Sequence, residues 1–523
     1  MKGFVVYPDS VNIDGKCLVR LFGRLENGES FVCINSFEPY LFILKQDEKK
    51  LKEILTEKDF SEMKIESTKF TNFKREGVSK IIFQNQTDLN KFSKELHEND
   101  IQTFESDIKP EYRFMMDKDI RGFVEIDGDF ESEERVNRVY RNCLIQKTKP
   151  VENFKLKTVS IDIETGKNEL YCIGIYGDGF QKNFMITKEN ITDVVVCKDE
   201  EDCLEKFKNE LIKIDPDIIT GWNVIDFDFD FLKSLFQKYK ISFDLGRTNE
   251  NAMLRIEDNF FRTSKMDVPG RVVLDGLGLI KDPFIKEAPS IKNIKFENYT
   301  LGEVAQQILG KTKLMTGKGR FEEIEELYSG GVKSQEKLAK YNLMDCQLVY
   351  EILEKTKMID LAIERSCLTG MPIDRLTASI ANFDSLYIRE AHKRGLVSPT
   401  NRFGSKDNKI MGAFVMTPNP GLYHNVLVLD FKSLYPSIIK TFNIDPSSFS
   451  EEKKEGYIES PIGAFFKNEE GILPSIIHSL HEARELAKKE KRELSSYAIK
   501  IIMNSFFGVL ASPNCRYFNL KMG

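Results

Sequence analysis

The chain has 523 residues, 41% of them hydrophobic and 30% charged, with a formal net charge of −6. That length exceeds a single core and points to roughly three or four domains, while the acidic balance excludes a protein that coats nucleic acid by bulk charge, so any such contact is local. Nine scattered cysteines with no CxxC, and five histidines, argue against a disulfide framework and against a zinc site. The start, MKGFVVYPDS, has no signal-peptide pattern, and no apolar run approaches the ~18 residues of a membrane span, so a cytosolic protein is expected.

In residues 1–150, short strand-like runs (CLVRLF, SFVCI, YLFIL) mix with a Lys/Glu-rich helical pattern near 47–58. They predict a small α/β or β-rich domain without evident chemistry. Strand–helix alternation starts near 155 and continues to about 355, interrupted by the Pro/Lys-rich loop KDPFIKEAPSIKNIKFENYT. Polar stretches at 401–409 and 450–460 flank Val426, Leu427, Val428 and Leu429, an apolar run that reads as a buried strand delivering Asp430 at its end. From Leu473 a helical pattern runs through PSIIHSLHEARELAKKEKRELSSYAIKIIMNSFFG.

Within TVSIDIETG the alternation is strict: Val159, Ile161 and Ile163 face one way, and Ser160, Asp162 and Glu164 the other. Acids at i and i+2 on one strand face stand roughly 7 Å apart, close enough to share a metal cluster. A solvent-exposed edge strand would carry the same pattern. Two later segments add candidates. GWNVIDFDFDFL offers Asp226, Asp228 and Asp230 among aromatics. YNLMDCQLVYEIL reads as a helix with Tyr341 and Asp345 one turn apart, docked by Leu343, Leu348 and Val349. Carboxylates from three segments converging on two metal ions are the apparatus of phosphodiester hydrolysis, with Tyr341 available to orient water. The alternatives are a helix-surface acid for Asp345 and a core aromatic for Tyr341.

Taken in order, DIET, NVIDFD and YNLMD resemble the three exonuclease motifs of the family B DNA polymerases. The resemblance implies a ribonuclease H-like 3′–5′ proofreading domain, with Asp162, Glu164, Asp228 and Asp345 as metal ligands, Tyr341 as the water-orienting group and Asn223 near the single-stranded primer end. Asp226 and Asp230 do not match and read as surface or helix-start acids; Asp275 is given a structural role. DFKSLYPSII resembles the family's motif A. By that resemblance Asp430 and the carbonyl of Phe431 bind metal, Ser433 and Leu434 offer N–H groups to the triphosphate, and Tyr435 excludes a 2′-hydroxyl. Arg484 and Lys488 share one helix face, as do Lys500 and Asn504, with Gly508 a further turn along. They resemble the fingers, where cations meet a triphosphate; Lys489, Lys491 and Arg492 read as a solvated face. Phe507 stands where the family commonly has tyrosine before the motif B glycine, which implies a modest change in nucleotide discrimination. At 411–418, MGAFVMTP occupies the place of the family's Tyr-Gly-Gly element, with Ile410 for its tyrosine and Ala413 for its second glycine.

The resemblance spans about 158–515 and is greatest to the bacterial DNA polymerase II branch. It implies a multidomain α/β and α+β protein: an N-terminal domain (1–150, with a contribution from about 360–395), an exonuclease domain (151–358), the first part of the palm (396–470), helical fingers (471–508) and the start of a second palm segment (509–523). The implied partners are primer–template DNA and dNTPs, with two Mg²⁺ per site (Mn²⁺ as substitute), in the cytoplasm at the nucleoid and with no membrane. A sliding clamp is compatible, although no clamp-binding peptide is evident near residue 523. The family's second polymerase acid, in a DTD-like hairpin, has no counterpart after Asp430. Hence the leading expectation is a split polymerase, whose C-terminal partner supplies that hairpin and the thumb. A gene fragment, a stand-alone exonuclease and a non-catalytic DNA-binding subunit are the alternatives. Residues 500–523 contain no acid and carry FFGVL, YF and L, and are expected to form an apolar surface needing a partner.

Overall fold

The strand-like runs of the first 150 residues build two sheets. CLVRLF and SFVCI lie in Lys16–Leu25 and Ser30–Ser36, antiparallel neighbours in a seven-stranded sheet that opens with Lys2–Ile13. YLFIL is the strand Tyr40–Leu44 of a separate four-stranded sheet, and the Lys/Glu-rich pattern is the helix Glu48–Glu57. Tyr40–Leu44 is apolar at every position because both its faces are covered. Leu41 and Ile43 pack on Leu89, Phe92 and Leu96 of the helix Gln86–Glu98, and Tyr40, Phe42 and Leu44 pack with Val397. The structure, a computed structural model, describes residues 1–57, 63–257, 264–312, 320–375, 378–401, 415–431 and 433–522. Ile410 and Ala413 lie outside them.

The alternating region forms an eight-stranded mixed sheet, with Thr158–Thr165 inside it between antiparallel Leu170–Gly177 and parallel Ile218–Gly221. Val159, Ile161 and Ile163 pack against the helices Glu200–Ile214 (Leu204, Phe207, Leu211) and Asp228–Lys238 (Phe229, Leu232). The long helix Val332–Thr356 covers the other face. The edge-strand alternative is therefore excluded. Leu348 and Val349 dock this helix into a core with Ile218, Val272 and Leu274. Leu343, expected beside them, is only half-buried; it stands two residues, about 200°, around the helix from Asp345.

Residues 379–399 return to the N-terminal region. Single bridges join Thr71 to Leu396 and Phe104 to Pro399, and Arg389 donates to the carbonyls of Met115 (3.0 Å) and Ile120 (2.8 Å). The helical pattern from Leu473 is two helices, Ile472–Lys489 and Glu493–Leu510, joined through residues 490–492 and packed face to face through Ile476, Ile477, Leu480, Ile499, Ile502 and Phe506.

Two expectations are corrected. Residues 426–429 form no strand, and Leu427 and Leu429 are 87% and 90% exposed. A strand needs a neighbour to take its N–H and C=O groups, and no strand among the described residues pairs with this run. Conversely, most apolar side chains of 500–522 are already buried. Phe506, Val509, Leu510, Cys515 and Tyr517 pack with Phe383, Leu386 and Tyr387 of the helix Ser379–Lys393, leaving Phe507 and Leu520 exposed. Arg516 locks that packing between Asp107 and Asp384, each at 2.9 Å. No helix among the described residues is long and apolar enough to cross a membrane.

Candidate active site

The three exonuclease-like segments meet at one cleft. The pleat of Thr158–Thr165 projects Asp162 and Glu164 to the face covered by the Val332–Thr356 helix, and that helix brings Asp345 down onto them. Ligand oxygens of Asp162, Glu164 and Asp345 lie within 4.8 Å of one another, the one such group of three or more metal-competent side chains among the described residues. Asp228 opens the helix that follows Ile218–Gly221 and lines the same cleft of about 350 Å³. It is 2% exposed, and its Oδ1 accepts from the Ile163 N–H at 3.0 Å. Burial, and then the charge of Asp162, push the Asp228 carboxyl well above the usual carboxylate range. All four donors are carboxylates, the hard oxygen ligands suited to Mg²⁺ or Mn²⁺, and buried acids this close call for a cation. The residues present therefore fit divalent metal.

Tyr341 is fully buried, one turn before Asp345, in a cluster with Tyr171, Met185 and Ile324. Ile324 also lines the cleft, so this cluster borders it, but Tyr341 itself is not among the lining residues and occupies the place of a core aromatic. Asn223 occupies the turn between Gly221 and Asp228 with a left-handed φ of 62°. Asp226 and Asp230 are exposed and outside the acid group, as read from the sequence. Asp275 has a structural role, since its Oδ1 caps the helix Gly276–Lys281 through the Gly278 N–H at 2.9 Å.

Three features of the cleft escaped the sequence reading. Trp222, Phe227 and Phe321 line it, with Phe227 and Phe321 exposed at its edge. Leu301 and Ile324 complete the apolar wall. Asn342 donates to Asp162. The aromatics beside NVIDFD were a visible signal; Phe321 and Leu301 reach the site from segments without a local pattern, and Asn342, although inside YNLMD, carries no local sign of the strand it meets.

The second constellation is not assembled around Asp430. Asp430 and Phe431 lie in exposed, unpaired chain, and the stretch from Ser433 begins a short helix, Leu434–Thr441, whose N-cap Ser433 has φ 57°. Tyr435 stacks on Phe507, ring centroids 4.6 Å apart and planes at 11°, so the motif A and motif B segments do meet. Lys500, Asn504, Phe507 and Gly508 are the exposed positions of the helix Glu493–Leu510 beyond its first residue, Glu493. Arg484 is half-buried, and Lys488 pairs with Glu485 at 2.8 Å.

Residues 101–304 match the exonuclease domain of DNA polymerase family B, and residues 376–522 match the DNA polymerase family B domain. DNA polymerase II of Escherichia coli (strain K12) is 33% identical over 467 residues, 86% of this chain and 57% of that protein. The DNA polymerase of Thermococcus gorgonarius is 28% identical over 553 residues, 98% of this chain and 65% of that one. This chain thus spans about 57% to 65% of the length of these relatives. The solved family B DNA polymerase of Pyrobaculum calidifontis superposes over 100% of this chain and 70% of its own, with a TM-score of 0.79 at 20% identity, a likeness of fold. Two domains of one family matched in consecutive order, with a relative 33% identical over 86% of this chain, make this chain a member of the family B DNA polymerases.

Proposed function

We propose that the cleft removes nucleotides from the 3′ end of DNA, and that residues 430–508 serve DNA-directed synthesis. The convergence of Asp162, Glu164 and Asp345, with Asp228 in the same cleft, carries this reading. These four side chains would hold Mg²⁺, which when bound would activate water and neutralise charge on the departing oxygen. Phe227 and Phe321 give the unpaired terminal bases a stacking surface, which tolerates any sequence. Trp222, Leu301 and Ile324 exclude bulk water from the scissile bond, and Tyr341, one turn before Asp345 on the same helix, is the candidate to orient the attacking water when substrate opens the cleft towards it. Asn223 contacts the primer end.

For synthesis, Asp430 and the Phe431 carbonyl take metal, Ser433 and Leu434 N–H groups meet the triphosphate, and Arg484, Lys488, Lys500 and Asn504 bind its phosphates. Tyr435, held on Phe507, screens the sugar, and Gly508, where an added Cβ would meet nothing within 4 Å, leaves room for the template. The unpaired, exposed run 426–431 offers its backbone to a neighbouring strand, so the palm reading calls for a segment that pairs with it.

The test uses the purified chain, a 5′-labelled primer–template and Mg²⁺, with and without four dNTPs. Primer shortening in both lanes without extension is expected. Asp162→Ala combined with Glu164→Ala abolishes shortening; cleavage retained in that variant removes the metal assignment. Extension in the dNTP lane would mean that an acid of this chain completes the palm site.

A further inference from the structure

Asp162 stands at one end of a row that crosses three strands. Its register partner on Leu170–Gly177 is Gly174, and the partner of Gly174 on Phe180–Ile186 is Asn183. Residues directly opposite on neighbouring strands project to the same face, so the middle position of the row is an empty slot. Asn342, from the covering helix, fills it. Its Nδ2 donates to the Asp162 carbonyl at 3.1 Å and to Asp162 Oδ2 at 2.8 Å. Its Oδ1 accepts from Asn183 Nδ2 at 2.7 Å. Both asparagines are fully buried.

The chemistry leaves one orientation. Carbonyl and carboxylate oxygens only accept, so the NH₂ of Asn342 must face Asp162. Its oxygen then needs a donor on the far side of Gly174, and Asn183 is that donor. A Cβ on Gly174 would stand 2.4 Å from Asn342 Oδ1 and 3.0 Å from its Cγ, so the glycine is what admits the bridge. Gly174 has no left-handed φ to explain it otherwise.

We propose that Asn342, oriented by Asn183 across Gly174, is a positioning residue that fixes the Asp162 carboxylate for metal binding. This rests on the reading of the cleft as a metal-dependent nuclease. An unanchored Asp162 beside Glu164 and Asp345 would turn away from two like charges; the donated amide N–H holds its carboxylate in place against them. Groups that orient metal ligands in this way typically set about 10- to 100-fold of metal affinity.

The probe is Mn²⁺ alone, titrated into the full chain without DNA and followed by electron paramagnetic resonance, with thermal melts recorded in parallel. Asn342→Leu keeps the branched outline and loses both N–H donors; Gly174→Ala crowds the amide out of its slot, with Cys346 Sγ also at 3.0 Å from the added Cβ, while leaving Asn342 in the chain. Each is expected to weaken Mn²⁺ binding about 10- to 100-fold in folded protein. Asn183→Ala, one bond further from the metal, weakens it less. If Asn342→Leu fails to fold, Gly174→Ala and Asn183→Ala decide. Wild-type Mn²⁺ isotherms in these variants, with binding lost in Asp162→Ala, would overturn the positioning role and leave the nuclease reading intact. Unchanged binding in Asp162→Ala would overturn the metal site itself, and the bridge with it.

Discussion

Glu105, outside the cleft, concentrates donors from three elements. It has a left-handed φ of 57°, is fully buried, and accepts from the Ser398 N–H at 2.7 Å. Arg113 and His392 meet its other oxygen at 2.7 and 2.9 Å. Burial raises its pKa, but the neighbouring His392 and Arg113 outweigh that and hold the carboxyl well below the usual range. A depressed folded pKa gives stability that is present above the unfolded value, ~4.3, and is lost as pH falls towards the folded one. Glu105→Gln leaves Arg113 buried without its counter-charge and should cost about 3–5 kcal/mol at pH 7. Urea titrations of the two proteins should differ by that amount at pH 7 and converge in acid; equal midpoints at pH 7 would refute the role. Asp430 is the contrasting residue. It is exposed and outside the nuclease group, so Asp430→Ala should leave primer shortening at the wild-type rate while abolishing synthesis once a complementing segment is supplied. Synthesis surviving that change would remove the palm assignment.

Among the elements, the helix Glu493–Leu510 separates packing from binding by face. Ile499, Ile502 and Phe506 enter the core it shares with Ile472–Lys489, while Lys500, Asn504, Phe507 and Gly508 look out. Ile502→Ala empties a buried site and should cost about 2–5 kcal/mol. Lys500→Ala should change stability by less than about 0.5 kcal/mol, yet weaken dNTP binding. Denaturation and nucleotide titration of the pair check both; a large stability loss for Lys500→Ala would refute the division. A second joint links the sheets through Asp217. It is fully buried, paired with Arg24 at 2.8 Å and Arg247 at 2.7 Å, and accepts from the Lys157 N–H at 2.8 Å. The strand carrying Arg24 is thereby tied to the sheet that holds Asp162.

For the whole molecule, the sheet region around Asp162 is a closed core and the run 426–431 is not packed. The sheet around Asp162 is covered on both faces, whereas Val426, Leu427, Val428, Leu429 and Phe431 lie bare in sequence. Contiguous exposed apolar chain binds hydrophobic probes and self-associates. Leu427→Ser with Leu429→Ser should reduce anilinonaphthalene sulfonate fluorescence and leave the melting temperature and primer shortening unchanged. A lowered melting temperature would mean that this run is packed in the chain in solution.

The periodic and local features were legible in the sequence. The alternation of 158–165 and the helices around Asp345 and Arg484 follow from spacing, because side-chain direction in a strand or helix is a local property, whereas the places of Asp226 and Asp230 were read from their mismatch to the family motif. What covers each face is not local. The helix above Asp162, the Asn342 bridge over Gly174, the aromatic wall reached by Phe321 and the burial of Tyr517 against Tyr387 all join segments far apart in the chain. The same limit explains both errors: an apolar run becomes a strand only beside a partner, and an apolar tail is bare only if nothing folds over it. Residue order alone marked the candidate acids and most of the elements that carry them. Which of those elements meet was settled by the folded chain, because burial and pairing are made by contacts that no local pattern contains.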